Sequence, residues 1–458
     1  MKLQFNGAAR TVTGSLHLLD MDGVRILLDC GFFQGSKELD EKNNSFPFNP
    51  KNIDYVLISH GHIDHCGRLP LLVKNGFKGK IYATHATVDL CSILLKDSAK
   101  IEEAETRREN AYRKRKGLPK LKPLFEERDA AKCSKLFRGV DYDRVLNIDG
   151  IEVVFGDAGH ILGSSIIEVW ADGIKAVYSG DIGRLGMPIL RDPTFIETAD
   201  YLILESTYGS TEHQPFQPMI NKIKGMVLKV YRRGSKLLIP AFSIGRTQTI
   251  IYILNQLVEN NQIPIIPVYI DSPLAIDATE IFSRHPECYD AEFNELLRSG
   301  DDPLIFRGLK YVRNEEESFE ISNNRETSII IAASGMCTGG RIKNHLEWHI
   351  NDPNSILLFV GYQAKGTLGR KLVQGNKNVK IYGKKYPVRI KVEALYGLSA
   401  HADKAYFLKW VKKIKGLKGL FLVHGNYQES QTLANDIHSK TQIKKIKIPK
   451  QGETVEIS

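Results

Sequence analysis

Apolar runs that stop abruptly on a carboxylate or an imidazole recur along this chain. Leu16-His17-Leu18-Leu19-Asp20 and Val24-Arg25-Ile26-Leu27-Leu28-Asp29 flank a Met21-Asp22-Gly23 turn, and together they predict a hairpin that opens a sheet. Further strands are predicted at Tyr55-Val56-Leu57-Ile58, Lys80-Ile81-Tyr82-Ala83-Thr84, Gly150-Ile151-Glu152-Val153-Val154-Phe155, Lys175-Ala176-Val177-Tyr178-Ser179 and Tyr201-Leu202-Ile203-Leu204. Strands of this set lead into Asp29, the cluster beginning at His60, His160, Asp181 and Glu205. Polar groups on strand-end loops at one sheet edge converge on one site.

From about residue 210 the texture changes. Leu237-Leu238-Ile239-Pro240, Pro267-Val268-Tyr269-Ile270, Ser328-Ile329-Ile330-Ile331-Ala332 and Ser355-Ile356-Leu357-Leu358-Phe359 alternate with helical patterns, which implies a mostly parallel sheet with helices on its faces. The first texture then returns. Arg389-Ile390-Lys391-Val392-Glu393 leads to His401, and Leu420-Phe421-Leu422-Val423 leads to His424. The expectation is a discontinuous first domain, 1–207 and 387–458, interrupted by an inserted domain at 208–386.

Two segments read as helical rather than as site-forming. Thr84-His85-Ala86-Thr87 looks like a capped helix start, favoured over a ligand role for His85. Residues 97–138 are polar and basic, with i,i+4 pairs such as Glu103–Arg107 and Glu109–Arg113 that suit a solvated helix. Arg113 to Lys116 has no acid to balance it, and a phosphate-contacting arm is the sharper alternative for that stretch.

The chemistry concentrates in His60-Gly61-His62-Ile63-Asp64-His65, three imidazoles and a carboxylate in a chain with only 13 histidines. His60 and His62 alternate on one side while Asp64 and His65 turn toward a second point, which suits two neighbouring ions. Imidazole with carboxylate is a ligand set zinc prefers. Asp29 reads equally well as a turn former before Gly31 or as a group orienting a metal-bound histidine. No Walker loop or dinucleotide-binding glycine pattern occurs. The Gly335-Met336-Cys337-Thr338-Gly339-Gly340-Arg341 loop follows a strand and is either a tight turn or a phosphate cradle.

Composition narrows the class without naming a function. The chain has 458 residues, 42% hydrophobic and 25% charged, as expected of a globular protein of two to three domains. No run approaches a membrane span, and the start resembles a first strand rather than a signal peptide. Six scattered cysteines are expected to be reduced thiols, so a cytoplasmic location is expected. The net charge of +10 is consistent with a polyanionic partner.

The succession Asp29, His60 to His65, His160, Asp181, Glu205, His401 in Ser-Ala-His-Ala-Asp, and His424 in Val-His-Gly resembles the metallo-β-lactamase superfamily, and within it the β-CASP nucleases. The resemblance covers essentially the whole chain and implies an α/β fold, an αββα sandwich interrupted by an α/β β-CASP domain. It also implies two Zn²⁺ ions: His60, His62 and His160 on one, Asp64, His65 and His424 on the other, Asp181 bridging, with Asp29 behind the ligands. His401, Glu205 and Asp64 would be catalytic, with His401 the general acid oriented by Glu205. Arg246, Gly335, Thr338, Arg341 and Arg370 would hold substrate phosphates. The final histidine favours single-stranded RNA over DNA, giving a zinc-dependent ribonuclease with no membrane association; a homodimer is one assembly open to it. A small-molecule hydrolase of the lactamase fold and a metal-free scaffold subunit are the competing expectations. Cleavage mode, natural RNA and oligomeric state are not legible.

Overall fold

The computed structural model describes residues 1–21, 23–364 and 366–458, so Asp22 of the expected turn lies outside the described residues. The chain forms two compact units, one of 1–185, 192–212 and 401–458, the other of 186–191 and 213–400.

The first unit holds two seven-stranded sheets. In one, the hairpin His17–Met21/Val24–Leu28 is joined on one side by Lys2–Phe5 and on the other by Tyr55–Leu57, Lys80–Thr84 and Phe137–Val140. In the other, Ser165–Ala171 lies between Ile151–Asp157 and Ile174–Tyr178, followed by Tyr201–Glu205 and Gly419–Val423. Side chains alternate across these strands, as the two-residue period requires. Ile203, Phe421 and Val423 point into a core shared with Phe5, Leu28 and Leu57 of the other sheet. Leu202, Leu204, Leu420 and Leu422 point outward, under Phe407, Trp410 and Leu433 of the helices Lys404–Lys413 and Tyr427–Lys440. Leu27, Val56 and Ile81 likewise pack under Leu69, Leu95 and Phe125 on the far side. Helix, sheet, sheet, helix is the layering expected from the sequence.

Strand direction creates the site. Val24–Leu28 and Tyr55–Leu57 run parallel with Leu28 opposite Leu57, so Asp29 and the loop after Leu57 emerge side by side. Ile174–Tyr178, Tyr201–Glu205 and Gly419–Val423 are also parallel, which brings the residues after Tyr178, Glu205 and Val423 to one edge. Glycines let the loops close on each other. A Cβ on Gly31 would sit 1.6 Å from the Asp64 carbonyl oxygen, and one on Gly183 would sit 2.0 Å from that of Gly159.

The second unit is built on six strands that pair parallel throughout, from Leu309–Tyr311 at one edge to Lys391–Ala394 at the other. Its central strands Lys236–Pro240 and Ser328–Ala332 are buried at every position, the signature of a parallel sheet covered on both faces. The sequence placed the return to the first domain at 387. Lys391–Ala394 pairs with Ile356–Phe359 of the inserted sheet, and the first unit resumes at His401.

Thr84 caps the helix His85–Arg115 by accepting a hydrogen bond from the Thr87 amide. All six cysteines are buried and unpaired. Among the described residues no helix is long and apolar enough to cross a membrane.

Trp410 is completely buried and donates its indole N–H to the Thr194 carbonyl at 3.0 Å. Trp410→Ala should cost about 3–5 kcal/mol, read as a lower urea midpoint. An unchanged midpoint would show that the outer helix layer contributes little to the first unit.

Candidate metal centre

Nitrogen and oxygen donors from four stretches of the chain meet in the first unit. His60 Nε2 lies 3.0 Å from His62 Nδ1, and His160 Nε2 lies 3.3 Å from the same atom. Asp181 Oδ2 stands 3.5 Å from His60 Nε2 and 3.6 Å from His160 Nε2. Beside this group, His65 Nε2 is 3.2 Å from His424 Nε2, which is 3.4 Å from Asp64 Oδ2. Asp181 faces both groups, with Oδ2 3.4 Å from His65 Nε2 and Oδ1 3.4 Å from His424 Nδ1.

Hydrogen bonds behind the rings decide which nitrogen faces inward. Ser59 donates its hydroxyl to Asp29 Oδ2 at 2.7 Å and can therefore only accept from His60 Nδ1 at 3.0 Å, leaving the His60 Nε2 lone pair toward the cluster. Asp29 Oδ2 also accepts a hydrogen bond from His65 Nδ1 at 2.6 Å. Thr207 donates to the His424 carbonyl and accepts from His424 Nδ1, both at 3.0 Å, which turns Nε2 toward Asp64 and His65. Asp29 and His424 hold these places with φ of +60° and +47°, backbone conformations uncommon for residues with a Cβ.

The electrostatics describe a site short of positive charge at its centre. Burial, then the neighbouring imidazoles, push His60 and His160 well below the usual histidine range despite Asp181. Burial lowers His62 to about 4 against the pull of Asp64 and Asp181. His160 Nδ1 and Asp181 Oδ1 are buried with no hydrogen-bond partner among the described residues. Neutral imidazoles whose lone pairs converge on a carboxylate repel one another unless a cation sits among them. His65 differs: burial opposes its charge, but Asp181 and Asp29 raise it well above the usual range. A cation binding there competes with that proton.

His401 stands at the edge of this cluster, its side chain 20% exposed, with Nδ1 3.1 Å from Glu205 Oε1 and 3.8 Å from Asp181 Oδ2. Glu205 is fully buried, and the Ile182 amide at 2.8 Å and the Thr207 amide at 3.2 Å fix its carboxylate. Burial disfavours the charged ring, yet Glu205 and then Asp181 outweigh it and raise His401 to about 9.

Three domain families match the chain: a metallo-β-lactamase superfamily domain over residues 18–199, a Beta-Casp domain over 247–372, and a Zn-dependent metallo-hydrolase RNA specificity domain over 385–449. The chain is 36% identical to "Ribonuclease TTHA0252" of Thermus thermophilus over 428 residues, 93% of either chain. The chain belongs to the β-CASP family of the metallo-β-lactamase superfamily. Two further members are similar along most of its length. An "RNase J-like protein" of Methanocaldococcus jannaschii is 31% identical, covering 98% of this chain and 96% of its own. "Transcription termination factor FttA" of Methanothermobacter thermautotrophicus is 33% identical, covering 100% of this chain and 72% of its own. The donor chemistry and the zinc-dependent hydrolase match together indicate a metal site in this β-CASP protein.

The structure thus gathers His60, His62, Asp64, His65, His160, Asp181, Glu205, His401 and His424, with Asp29 behind them. The expected phosphate-holding residues all fall in the second unit. Gly335, Thr338 and Arg341 share one loop, and the Gly369 amide, next to Arg370, donates to the Met336 carbonyl of that loop at 3.0 Å. Arg341 is engaged inside the unit: its guanidinium reaches Asp271 at 2.6 Å and the carbonyls of Val312 and Arg313. Arg246 opens the helix Arg246–Glu259. Ser59, Thr207 and Tyr178, whose hydroxyl donates to Asp29 at 2.7 Å, were not expected. Their one mark in the sequence is a hydroxyl or phenol within three residues of a predicted ligand or of Glu205, at the end of a buried strand, a feature too common to single them out.

Asp29→Ala removes the acceptor behind His65 and Ser59. It should weaken zinc retention about 10–100-fold, measured by chelator competition. Unchanged affinity would show that the ring orientations do not depend on Asp29.

Proposed function

We propose that this protein is a metal-dependent ribonuclease that hydrolyses RNA phosphodiester bonds, with two Zn²⁺ ions per chain. The observation that carries this reading is the pair of donor groups sharing Asp181, with the His401–Glu205 pair beside them. His60, His62 and His160 would hold one ion, Asp64, His65 and His424 the other, and Asp181 would serve both. The choice of RNA is supported by the RNA specificity domain match and by the ribonuclease names of two relatives. Two bound zinc ions would supply an activated water at neutral pH and neutralise charge growing on phosphorus.

The chain's own residues do the rest. Asp29, Ser59 and Thr207 keep the ligand rings oriented. Asp64 both binds and faces the reacting phosphate. His401 keeps its Nδ1 proton on Glu205 and gives the proton of Nε2 to the leaving oxygen, after which the buried Glu205 anion favours reprotonation. In the second unit, Gly335, Thr338, Arg246 and Arg370 are the candidates for holding flanking phosphates. Arg341, already bonded to Asp271 and two carbonyls, would act there by fixing the loop. Buried, unpaired cysteines suit the cytoplasm, the compartment we propose.

His401→Ala should retain both zinc ions by elemental analysis yet lose about 10²–10⁴-fold in RNA turnover. Turnover of RNA at the wild-type rate would overturn the acid assignment. Hydrolysis of small thioesters or lactones in place of RNA by the wild type would overturn the substrate class. The proposed assembly is a homodimer, and light scattering should give twice the 51.6 kDa chain mass. A single-chain mass would exclude it.

A further inference from the structure

The first unit carries a strongly cationic projection that the site described above does not use. The helix His85–Arg115 has 31 residues and spans about 46 Å at ~1.5 Å per residue. Its first turns lie against the metal-centre loops: Thr87 donates its hydroxyl to the Gly163 carbonyl at 2.7 Å, and a Cβ on Gly61 would sit 3.1 Å from Leu90 Cβ. Its last buried residue is Ala99, and no residue from 100 to 124 is buried. Apolar packing therefore does not hold the far end.

Polar contacts give that end a defined shape. Asn110 exchanges two hydrogen bonds with the Leu121 backbone, at 2.8 and 2.9 Å, and Arg113 donates to the Pro119 carbonyl at 2.7 Å. Residues 107–122 contain eight cationic side chains and one acidic one, a net of +7 in a chain whose total is +10. Arg108, Lys114, Arg115, Lys116, Lys120 and Lys122 are exposed and have no acidic partner among the described residues. Tyr112, 47% exposed, lies among them. Pre-shaped, unneutralised cations interleaved with an aromatic ring are what a nucleic-acid backbone and its bases bind.

We propose that this helix tip is a second RNA-contacting surface, which captures strand lying beyond the metal centre. The proposal rests on the reading of the protein as one that acts on RNA. From Leu90 to Lys114 the helix axis covers about 36 Å, so only RNA long enough to reach engages both. The test uses the full chain carrying Lys114→Gln, Arg115→Gln, Lys116→Gln, Lys120→Gln and Lys122→Gln, which leaves Arg113 and Asn110 in place. Binding is followed by fluorescence anisotropy and cleavage by gel, on single-stranded RNAs of about thirty and about five nucleotides, the latter too short to bridge the distance at ~3.4 Å per stacked nucleotide.

Against the long RNA the variant should lose tenfold or more in affinity. Its slope of log affinity on log salt should flatten by about 0.7 for each phosphate contact removed. The short RNA should be bound and cleaved at wild-type rates, which also reports an intact fold. An unchanged slope and affinity on the long RNA would overturn the proposal. So would loss of binding only to phosphatidylserine vesicles with RNA affinity intact, which would assign the tip to membranes. Binding is read independently of cleavage, so a wild type that binds RNA through the tip without cutting it would refute the ribonuclease reading alone.

Discussion

The carboxylate of Asp29 joins the two sheets of the first unit at the floor of the site. It accepts from the Ser59 amide and hydroxyl, from His65 Nδ1 and from the Tyr178 hydroxyl, all between 2.6 and 2.7 Å. Asp29 and Ser59 follow strands of one sheet, whereas Tyr178 ends a strand of the other. A fully buried anion costs several kcal/mol if unpaired, and this one is saturated with donors. The same contacts that offset its burial set the inward-facing nitrogens of His60 and His65. Sheet packing and ligand orientation therefore rest on one group.

What stands above that floor is unbalanced by design of the donor set. Converging lone pairs on His60, His62 and His160, and a carboxylate oxygen of Asp181 without a hydrogen-bond partner among the described residues, are repulsive among themselves and favourable around a cation. His401 sits at the boundary between this demand for positive charge and the anion of Glu205. In the proposed mechanism it would answer the demand by holding a proton, which the neighbouring Glu205 and Asp181 carboxylates favour.

Much of this arrangement was legible in the chain. A buried strand spells itself as an apolar run, and parallel strands end at a common edge, so the residues ending those runs had to meet. Ser59, Thr207 and Tyr178 were not legible because hydroxyls are common and their role appears only once the histidines are placed. The run Arg389-Ile390-Lys391-Val392-Glu393 leads straight into the His401 motif, and its pairing partner was not legible from the run itself. Lys391–Ala394 is the partly exposed edge strand of the inserted parallel sheet, a placement that depends on its pairing with Ile356–Phe359. Arg341 looked like a phosphate ligand because guanidinium suits phosphate. It equally suits a buried carboxylate, and Asp271 in the same unit takes it.

The discontinuous first unit sets an order of events for a chain emerging from the ribosome. Six of the seven proposed ligands precede residue 182, while His424 follows 243 residues after Asp181. At roughly 5–20 residues per second that interval lasts about 12 to 50 s. Throughout it, the nascent protein carries neither His424 nor His401 in place. On the proposed assignment of ligands and acid, a nuclease organised in this way would stay chemically silent beside the very message from which it is being translated.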